Sequence, residues 1–112
     1  MLLLHADDPL PSSILPRNGR VFLVGAGPGD EVIVPAFTWV ATANVVEYMG
    51  ARPVFCDIDL ATFNIDVARV PSLITSRTVG MIPVHLFGLA ADMGPLMELA
   101  RRHGLWVVED AA

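Results

Sequence analysis

The sequence predicts an α/β fold with a mainly parallel sheet and alternating helices. Short apolar runs of strand length alternate with helix-length segments over residues 31–108. The links between them are short, which suits parallel strands joined by crossover helices. Apolar residues make up 54% of the 112 residues and charged residues only 17%, as expected when strands are buried on both faces. The length allows one domain at most.

Four apolar runs are expected to form the sheet, and turn residues bound each of them. Proline ends the first run at Pro35 and lies near the end of the third at Pro83. A further short strand is expected at Val21–Val24. The four main strands are predicted at Glu31–Val34, Pro53–Cys56, Thr78–Val84 and Leu105–Val108.

Two helices are predicted in the first links between the strands. Val40–Met49 has helix length, and Gly50 is placed as its C-cap. Asp66 can cap a short helix starting at Val67, which Pro71 must break or offset.

The third helix has the clearest signals. Asp92 is the expected N-cap and Gly104 the expected end. Basic residues at 101–103 suit the negative end of the helix dipole. One face is apolar, formed by Met93, Leu96, Met97 and Ala100.

The composition and the net charge limit which binding partners and which cellular compartment are expected. The net charge is −5 and no basic cluster exceeds residues 101–103, so nucleic acid and anionic membrane are expected to be poor partners. Cys56 is the single cysteine, which rules out an internal disulfide framework and a CxxC metal signature. The first 20 residues are proline-rich and carry no secretory pattern, so an irregular lead-in and a cytoplasmic location are expected.

Ligands of open α/β sheets bind beyond the carboxyl ends of the strands. The residues that follow the predicted strands therefore define a candidate site: Phe37, Thr38, Trp39, Asp57, Asp59, His85, Glu109 and Asp110. Position in the sequence alone favours structural rather than functional roles for most of them. These are a helix N-cap for Asp110, a core or interface aromatic for Trp39, and local backbone bonding for Thr38 and Thr42. A structural role for His85 is about as plausible as a functional one. Turn formation explains Asp57 and Asp59 better than a metal site.

Four segments together resemble the DegT/DnrJ/EryC1/StrS family of pyridoxal-phosphate-dependent sugar aminotransferases. They begin at Gly27 (GPGDEVIVPAFTWVATAN), Asp57 (DIDLATFNID), Pro83 (PVHLFG) and Val107 (VVEDAA). The resemblance implies that residues 25–112 form a partial large domain of a fold-type-I transferase. Residues 1–24 do not match the family and are expected to be an irregular lead-in.

The resemblance also implies roles for two residues. Trp39 would stack on the ring of pyridoxal 5'-phosphate, and Asp110 would pair with its pyridine nitrogen. A carboxylate there keeps the nitrogen protonated, which makes the ring a better electron sink. His85 would line the pocket or a subunit contact.

The implied activity is transfer of an amino group, usually from glutamate, to a keto-sugar nucleotide by a homodimer. The sequence contains seven arginines and no lysine. No residue here can therefore be the Schiff-base lysine. The chain is therefore expected to be a truncated member, inactive alone, without the family's SGTxAL phosphate segment. One alternative is a non-catalytic remnant or interaction fragment. Another is an S-adenosylmethionine-binding fragment, since Gly25–Asp30 is similar to the opening loop of tetrapyrrole methyltransferases.

Overall fold

The computed structural model describes residues 3–5 and 25–112, and these form one sheet with helices on both sides. The strand order is β1-β5-β4-β2-β3. Strands β2 to β5 are parallel, and β1 is antiparallel to β5. The predicted α/β class with a mainly parallel sheet is confirmed. The strands are β1 (Leu3–His5), β2 (Glu31–Pro35), β3 (Arg52–Cys56), β4 (Thr78–Met81) and β5 (Trp106–Glu109).

Three helices connect the parallel strands: α1 (Ala41–Tyr48), α2 (Val70–Leu73) and α3 (Met93–His103). A short 3-10 helix, Leu86–Gly88, precedes α3. Gly50 follows α1 with φ of 77° and Gly104 ends α3 with φ of 66°. Both lie in the left-handed region that favours glycine. Gly104 is the C-cap of α3 as predicted, whereas the C-cap of α1 is Met49, one residue before the predicted Gly50.

One prediction about a helix start was wrong, and a second was right in position only. The second helix begins at Val70 rather than Val67, because the Asp66 carboxylate accepts the Ala68 N–H at 3.0 Å and makes a turn there. Pro71 then lies in the first turn of α2, where its missing N–H costs nothing. Asp92 does occupy the N-cap position of α3, but its side chain makes no capping hydrogen bond.

The third predicted strand is shorter than expected, because β4 stops at Met81. Ile82 still donates its N–H to the Ile33 carbonyl at 2.8 Å, but Pro83 has no N–H to continue the ladder. The chain rejoins the sheet at a single bridge between Val84 and Asp110.

One strand lies inside the segment that was expected to be irregular. Leu3 pairs with Glu109 and His5 with Val107, which adds β1 to the edge of the sheet. The strand predicted at Val21–Val24 falls outside the described residues.

Alternate residues of the strands build two cores on opposite faces of the sheet. Ile33, Met81 and Val107 face α2 and α3, and they pack with the buried residues Val70, Leu96 and Ala100. Val32, Val34, Ile82 and Val108 form the other core with Val46 of α1. Side chains on successive residues of a strand point to opposite faces, so this alternation produces three layers and leaves the strand ends open.

Candidate functional site

The carboxyl ends of β4 and β5 meet at Asp110. Its N–H donates to the Pro83 carbonyl at 2.9 Å, and its own carbonyl accepts the His85 N–H at 2.9 Å. These two bonds fix the backbone of Asp110 against the end of β4. The residue singled out from the sequence is therefore held rigidly at the edge where ligands bind in open α/β sheets.

The carboxylate of Asp110 is held by two donors. The Thr42 hydroxyl donates to Oδ2 at 2.8 Å, and the Ala112 N–H donates to Oδ1 at 3.2 Å. The second bond is the local kind expected of a turn or capping aspartate. The first joins the residue to α1, 68 positions earlier. Each carboxylate oxygen has two acceptor sites, so the group can still take a donor from a ligand.

Thr38 and Thr42 do not have the local backbone roles expected of them. Their hydroxyl oxygens lie 3.2 Å apart, and Thr42 is buried in the first turn of α1 while it reaches Asp110. The contact between Thr42 and Asp110 was not predicted, because nothing in the local sequence indicates that α1 and the end of β5 touch.

Trp39 is not a core residue. Its side chain is 78% exposed, and it lies just before α1, three positions ahead of Thr42. A large exposed aromatic beside a ligand-binding edge is suited to stacking on a planar ligand.

His85 and Glu109 form a partly buried pair behind this edge. Nε2 of His85 lies 2.7 Å from Oε2 of Glu109, and the Ala91 N–H donates to Nδ1 at 3.0 Å. Because Nδ1 accepts a hydrogen bond, the neutral ring carries its proton on Nε2 and donates it to Glu109. Both ring nitrogens are thus engaged within the protein, which supports the structural reading of His85.

Three phenylalanines form an aromatic cluster that sequence reasoning largely missed. The ring centroids of Phe37, Phe63 and Phe87 lie 5.6 to 6.4 Å apart. Phe63 and Phe87 have φ of 61° and 54°, a conformation that costs a non-glycine residue on the order of 1–3 kcal/mol. Buried Asn64 holds this arrangement, since it accepts the Leu86 N–H at 3.0 Å and donates to the Leu89 carbonyl at 2.9 Å. No sequence signal marks a positive φ at phenylalanine.

The aspartates after β3 have turn and pairing roles. Asp59 accepts the N–H groups of Ala61 and Thr62, and Asp57 pairs with Arg69 at 3.5 Å. A cavity of about 480 Å³ lies beside them, lined partly by Asp59, Asp66 and Asp92. Within residues 25–112, no group of three His, Cys, Asp or Glu side chains is placed to hold a metal ion.

The glycine turn at Gly25–Asp30 lies at the opposite edge of the sheet. It leads directly into the amino end of β2, and the Gly27 N–H is already bound to the Asp30 carboxylate at 2.9 Å. Trp106 Nε1, at the amino end of β5, donates to the Gly25 carbonyl at 3.3 Å. A strand rather than a helix follows the turn, so it lacks the helix N-terminus of a phosphate-binding loop. This geometry disfavours the S-adenosylmethionine reading.

The fold is an open, mainly parallel α/β sheet with Asp110 and the exposed Trp39 at its carboxyl edge, which is the edge where sheets of this kind bind ligands. The chain belongs to the DegT/DnrJ/EryC1/StrS aminotransferase family, whose profile matches residues 20–112. The resemblance seen in the sequence is therefore confirmed.

Curated relatives support the assignment over most of the chain. GDP-perosamine synthase of Caulobacter vibrioides is 57% identical over 89 residues, which is 80% of this chain and 24% of the relative. A UDP-N-acetyl-3-dehydro-alpha-D-glucosamine 3-aminotransferase of Acidithiobacillus ferrooxidans is 56% identical over 86 residues, 77% of this chain and 23% of the relative. The chain thus spans about a quarter of the length of the curated relatives it matches.

Solved structures share the fold. DesV of S. venezuelae is 50% identical with a TM-score of 0.75, covering 77% of this chain and 23% of its own. NtdA of Bacillus subtilis, solved with bound cofactor PMP, is 44% identical with a TM-score of 0.76, covering 78% of this chain and 20% of its own. The sheet described here is therefore part of the architecture of aminotransferases. In the described part of the chain, no helix is long and apolar enough to cross a membrane.

Proposed function

We propose that this chain is the ring-holding part of a pyridoxal-phosphate-dependent sugar aminotransferase. The observation that carries the proposal is the carboxylate of Asp110, fixed at the carboxyl edge of the sheet by Thr42 at 2.8 Å. The exposed Trp39 lies three residues before that threonine. Family membership over residues 20–112 supports the same reading.

The residues present fit the pyridine end of the cofactor. Asp110 retains acceptor sites for a pyridinium N–H, and an adjacent carboxylate favours the protonated ring. The indole of Trp39 offers an apolar face that would orient the ring and exclude water from it. When bound, the cofactor supplies an electron sink for the carbanion formed in amino transfer.

The covalent part of the chemistry needs a group that these residues do not contain. Lysine is absent from the 112 residues, and an amine is required to form a Schiff base with the cofactor. We propose that polypeptide outside these residues supplies the lysine, and that residues 25–112 alone do not transaminate. We also propose that polypeptide outside these residues binds the phosphate group of the cofactor, because residues 15–24 carry no SGTxAL segment.

The proposed substrate is a keto-sugar carried on a nucleotide, with glutamate as amino donor. The names of two relatives point to nucleotide-linked sugars, one with GDP and one with UDP. A homodimer in the cytoplasm completes the proposal. His85 contributes to this site by holding the loop after β4 rather than by proton transfer.

Binding of pyridoxamine 5'-phosphate to the purified chain, followed by calorimetry, tests the assignment. Asp110→Asn removes the charge and is expected to weaken binding about tenfold or more, since hydrogen bonds to charged groups contribute about 1.5–3 kcal/mol. Trp39→Ala should weaken binding several-fold, and Trp39→Phe should restore most of it. Asp57→Asn is the matched control, because Asp57 is an exposed carboxylate at the same edge beyond β3.

Absence of cofactor binding by the unchanged chain would overturn the proposal. That result would favour the alternative, a non-catalytic remnant or interaction fragment. Its specific support is the lack of lysine together with the exposed aromatic cluster of Phe37, Phe63 and Phe87. Equal loss of binding in Asp57→Asn and Asp110→Asn would also count against a specific role for Asp110.

A further inference from the structure

The side chains of Thr38, Thr42 and Asp110 form a continuous line of hydrogen bonds across the site. The hydroxyl oxygens of Thr38 and Thr42 are 3.2 Å apart, and Thr42 Oγ1 is 2.8 Å from Asp110 Oδ2. By distance alone, either threonine could be the donor in the first of these bonds.

The chemistry of the three groups fixes the direction of the line. A carboxylate only accepts hydrogen bonds, and a threonine hydroxyl has one proton to donate. Thr42 therefore gives its proton to Asp110, and its oxygen must accept the proton of Thr38. The order is Thr38 to Thr42 to Asp110.

The location of Thr42 gives this line a mechanical consequence. Thr42 is buried in the first turn of α1, so it has little freedom to move away from Asp110. The same turn begins just after Trp39. The bond from Thr42 to Asp110 therefore connects the start of α1, next to Trp39, with the proposed partner of the ring nitrogen. The two bonded residues are 68 positions apart in the chain.

We propose that Thr42 is a positioning residue for the cofactor ring, and that Thr38 orients Thr42. Thr42 aims the Asp110 carboxylate and sets its distance from the indole of Trp39, without touching the cofactor. The favourable field at the start of α1 acts in the same sense, because a helix N-terminus stabilises a nearby negative charge. This inference rests on the proposed function, since it assigns a role within the same site.

Substitution of Thr42 by valine and by serine separates positioning from packing. Valine keeps the shape and removes the hydroxyl, whereas serine keeps the hydroxyl. Pyridoxamine 5'-phosphate is expected to bind about tenfold more weakly to Thr42→Val, the loss typical of one bond to a charged group, and nearly normally to Thr42→Ser. Thr38→Val should weaken binding by a smaller factor, because it acts only through Thr42.

A ring-specific readout distinguishes positioning from general loss of structure. With pyridoxamine 5'-phosphate labelled at its ring nitrogen, the nitrogen-15 signal of the bound cofactor reports protonation of that atom. The unchanged chain and Thr42→Ser should show the protonated signal, and Thr42→Val should move toward the neutral one. If Thr42→Val does not fold, Thr38→Val gives the same comparison with a smaller shift.

Combining the two valine substitutions tests the order of the line. Thr38→Val should add nothing to the loss of cofactor affinity already caused by Thr42→Val, because residues in one network are not additive. Additive losses of cofactor affinity would overturn the proposed order of hydrogen bonds from Thr38 to Thr42 to Asp110. Equal affinity and an equal nitrogen signal in Thr42→Val and the unchanged chain would overturn the positioning role while the proposed function stands. No binding by the unchanged chain would remove the proposed function and this inference with it.

Discussion

The indole of Trp106 lies directly on the backbone of Gly80 in the neighbouring strand. A Cβ atom built on Gly80 would come within 2.2 Å of Trp106 Cδ2, a ring-fusion atom that cannot move without the whole indole. The indole also donates a hydrogen bond to the Gly25 carbonyl. The side chain of Trp106 therefore joins β4, β5 and the turn before β2.

Gly80→Ala is expected to destabilise the fold by at least about 2 kcal/mol, because it overpacks this contact. Chemical denaturation with the change in tryptophan fluorescence measures the effect. Gly94→Ala is the control, since its Cβ would meet nothing closer than an Asp92 oxygen at 3.8 Å. That helical site should gain about 0.5 kcal/mol. Equal effects of the two changes would contradict the role given to Trp106.

Glu31 makes the fold sensitive to acid. The Thr75 hydroxyl donates to its carboxylate at 2.6 Å and Arg77 donates at 2.6 Å. The pKa of Glu31 is lowered from its ordinary 4.5, first by the Thr75 hydrogen bond and then by the Arg77 charge, against the opposing effect of burial. The stability it contributes is therefore complete above pH 4.5 and is lost as the pH falls through the lowered value.

Unfolding free energies measured from neutral pH into the acid range should show this contribution. The loss on acidification should be smaller in Glu31→Gln, which has no carboxyl to protonate. Glu47→Gln, an exposed change on α1, should follow the unchanged chain. If the unfolding free energy falls as steeply at acid pH in Glu31→Gln as in the unchanged chain, other groups cause the loss.

Cys56 should be inert while the chain is folded. It is fully buried, and burial raises the pKa of its thiol to about 11, with Asp66 and Asp57 acting in the same direction. Only about one thiol in a thousand would then be ionised at pH 8, and the thiolate is the reactive form. A thiol reagent should label the denatured chain fully and the native chain only at the rate of unfolding. Prompt labelling of the native chain would contradict the burial.

Asn64→Asp should loosen the loop that carries Phe87. The new carboxylate can still accept the Leu86 N–H, but it has no N–H for the Leu89 carbonyl. An unmet buried acceptor costs about 1–3 kcal/mol. Hydrogen exchange at residues 86–89 should therefore speed up. Asn44→Asp adds the same charge on α1 and should leave that exchange unchanged; if both substitutions accelerate it alike, charge rather than the lost donor is responsible.

Most of the fold could be predicted from the sequence because its signals are local. Gly104, the apolar face of α3 and the basic residues at its end fixed that helix almost to the residue. The start of α2 was mispredicted because Asp66 can cap either a helix or a turn, and only the packed chain selects the turn. The pairing of β1 with β5 joins residues more than 100 positions apart, and strand residues alone do not specify such a partner.

The candidate site was predictable in its members but not in its connections. Strand ends placed Trp39, His85 and Asp110 at one edge, as observed. The bond from Thr42 to Asp110 depends on how α1 packs on the sheet, and the cluster of Phe63 and Phe87 depends on backbone conformations that phenylalanine rarely adopts. Both features arise from tertiary packing.

The separation between Thr42 and Asp110 also sets the timing of site assembly. A ribosome adds about 5–20 residues per second, so Asp110 is synthesised roughly 3 to 14 seconds after Thr42. During that interval Trp39 and the start of α1 have no carboxylate to meet, and β4 has no β5 beside it. A nascent chain that has reached only β4 therefore leaves the β4 edge unpaired, and β5 is the element that both pairs with β4 and brings Asp110 to Thr42.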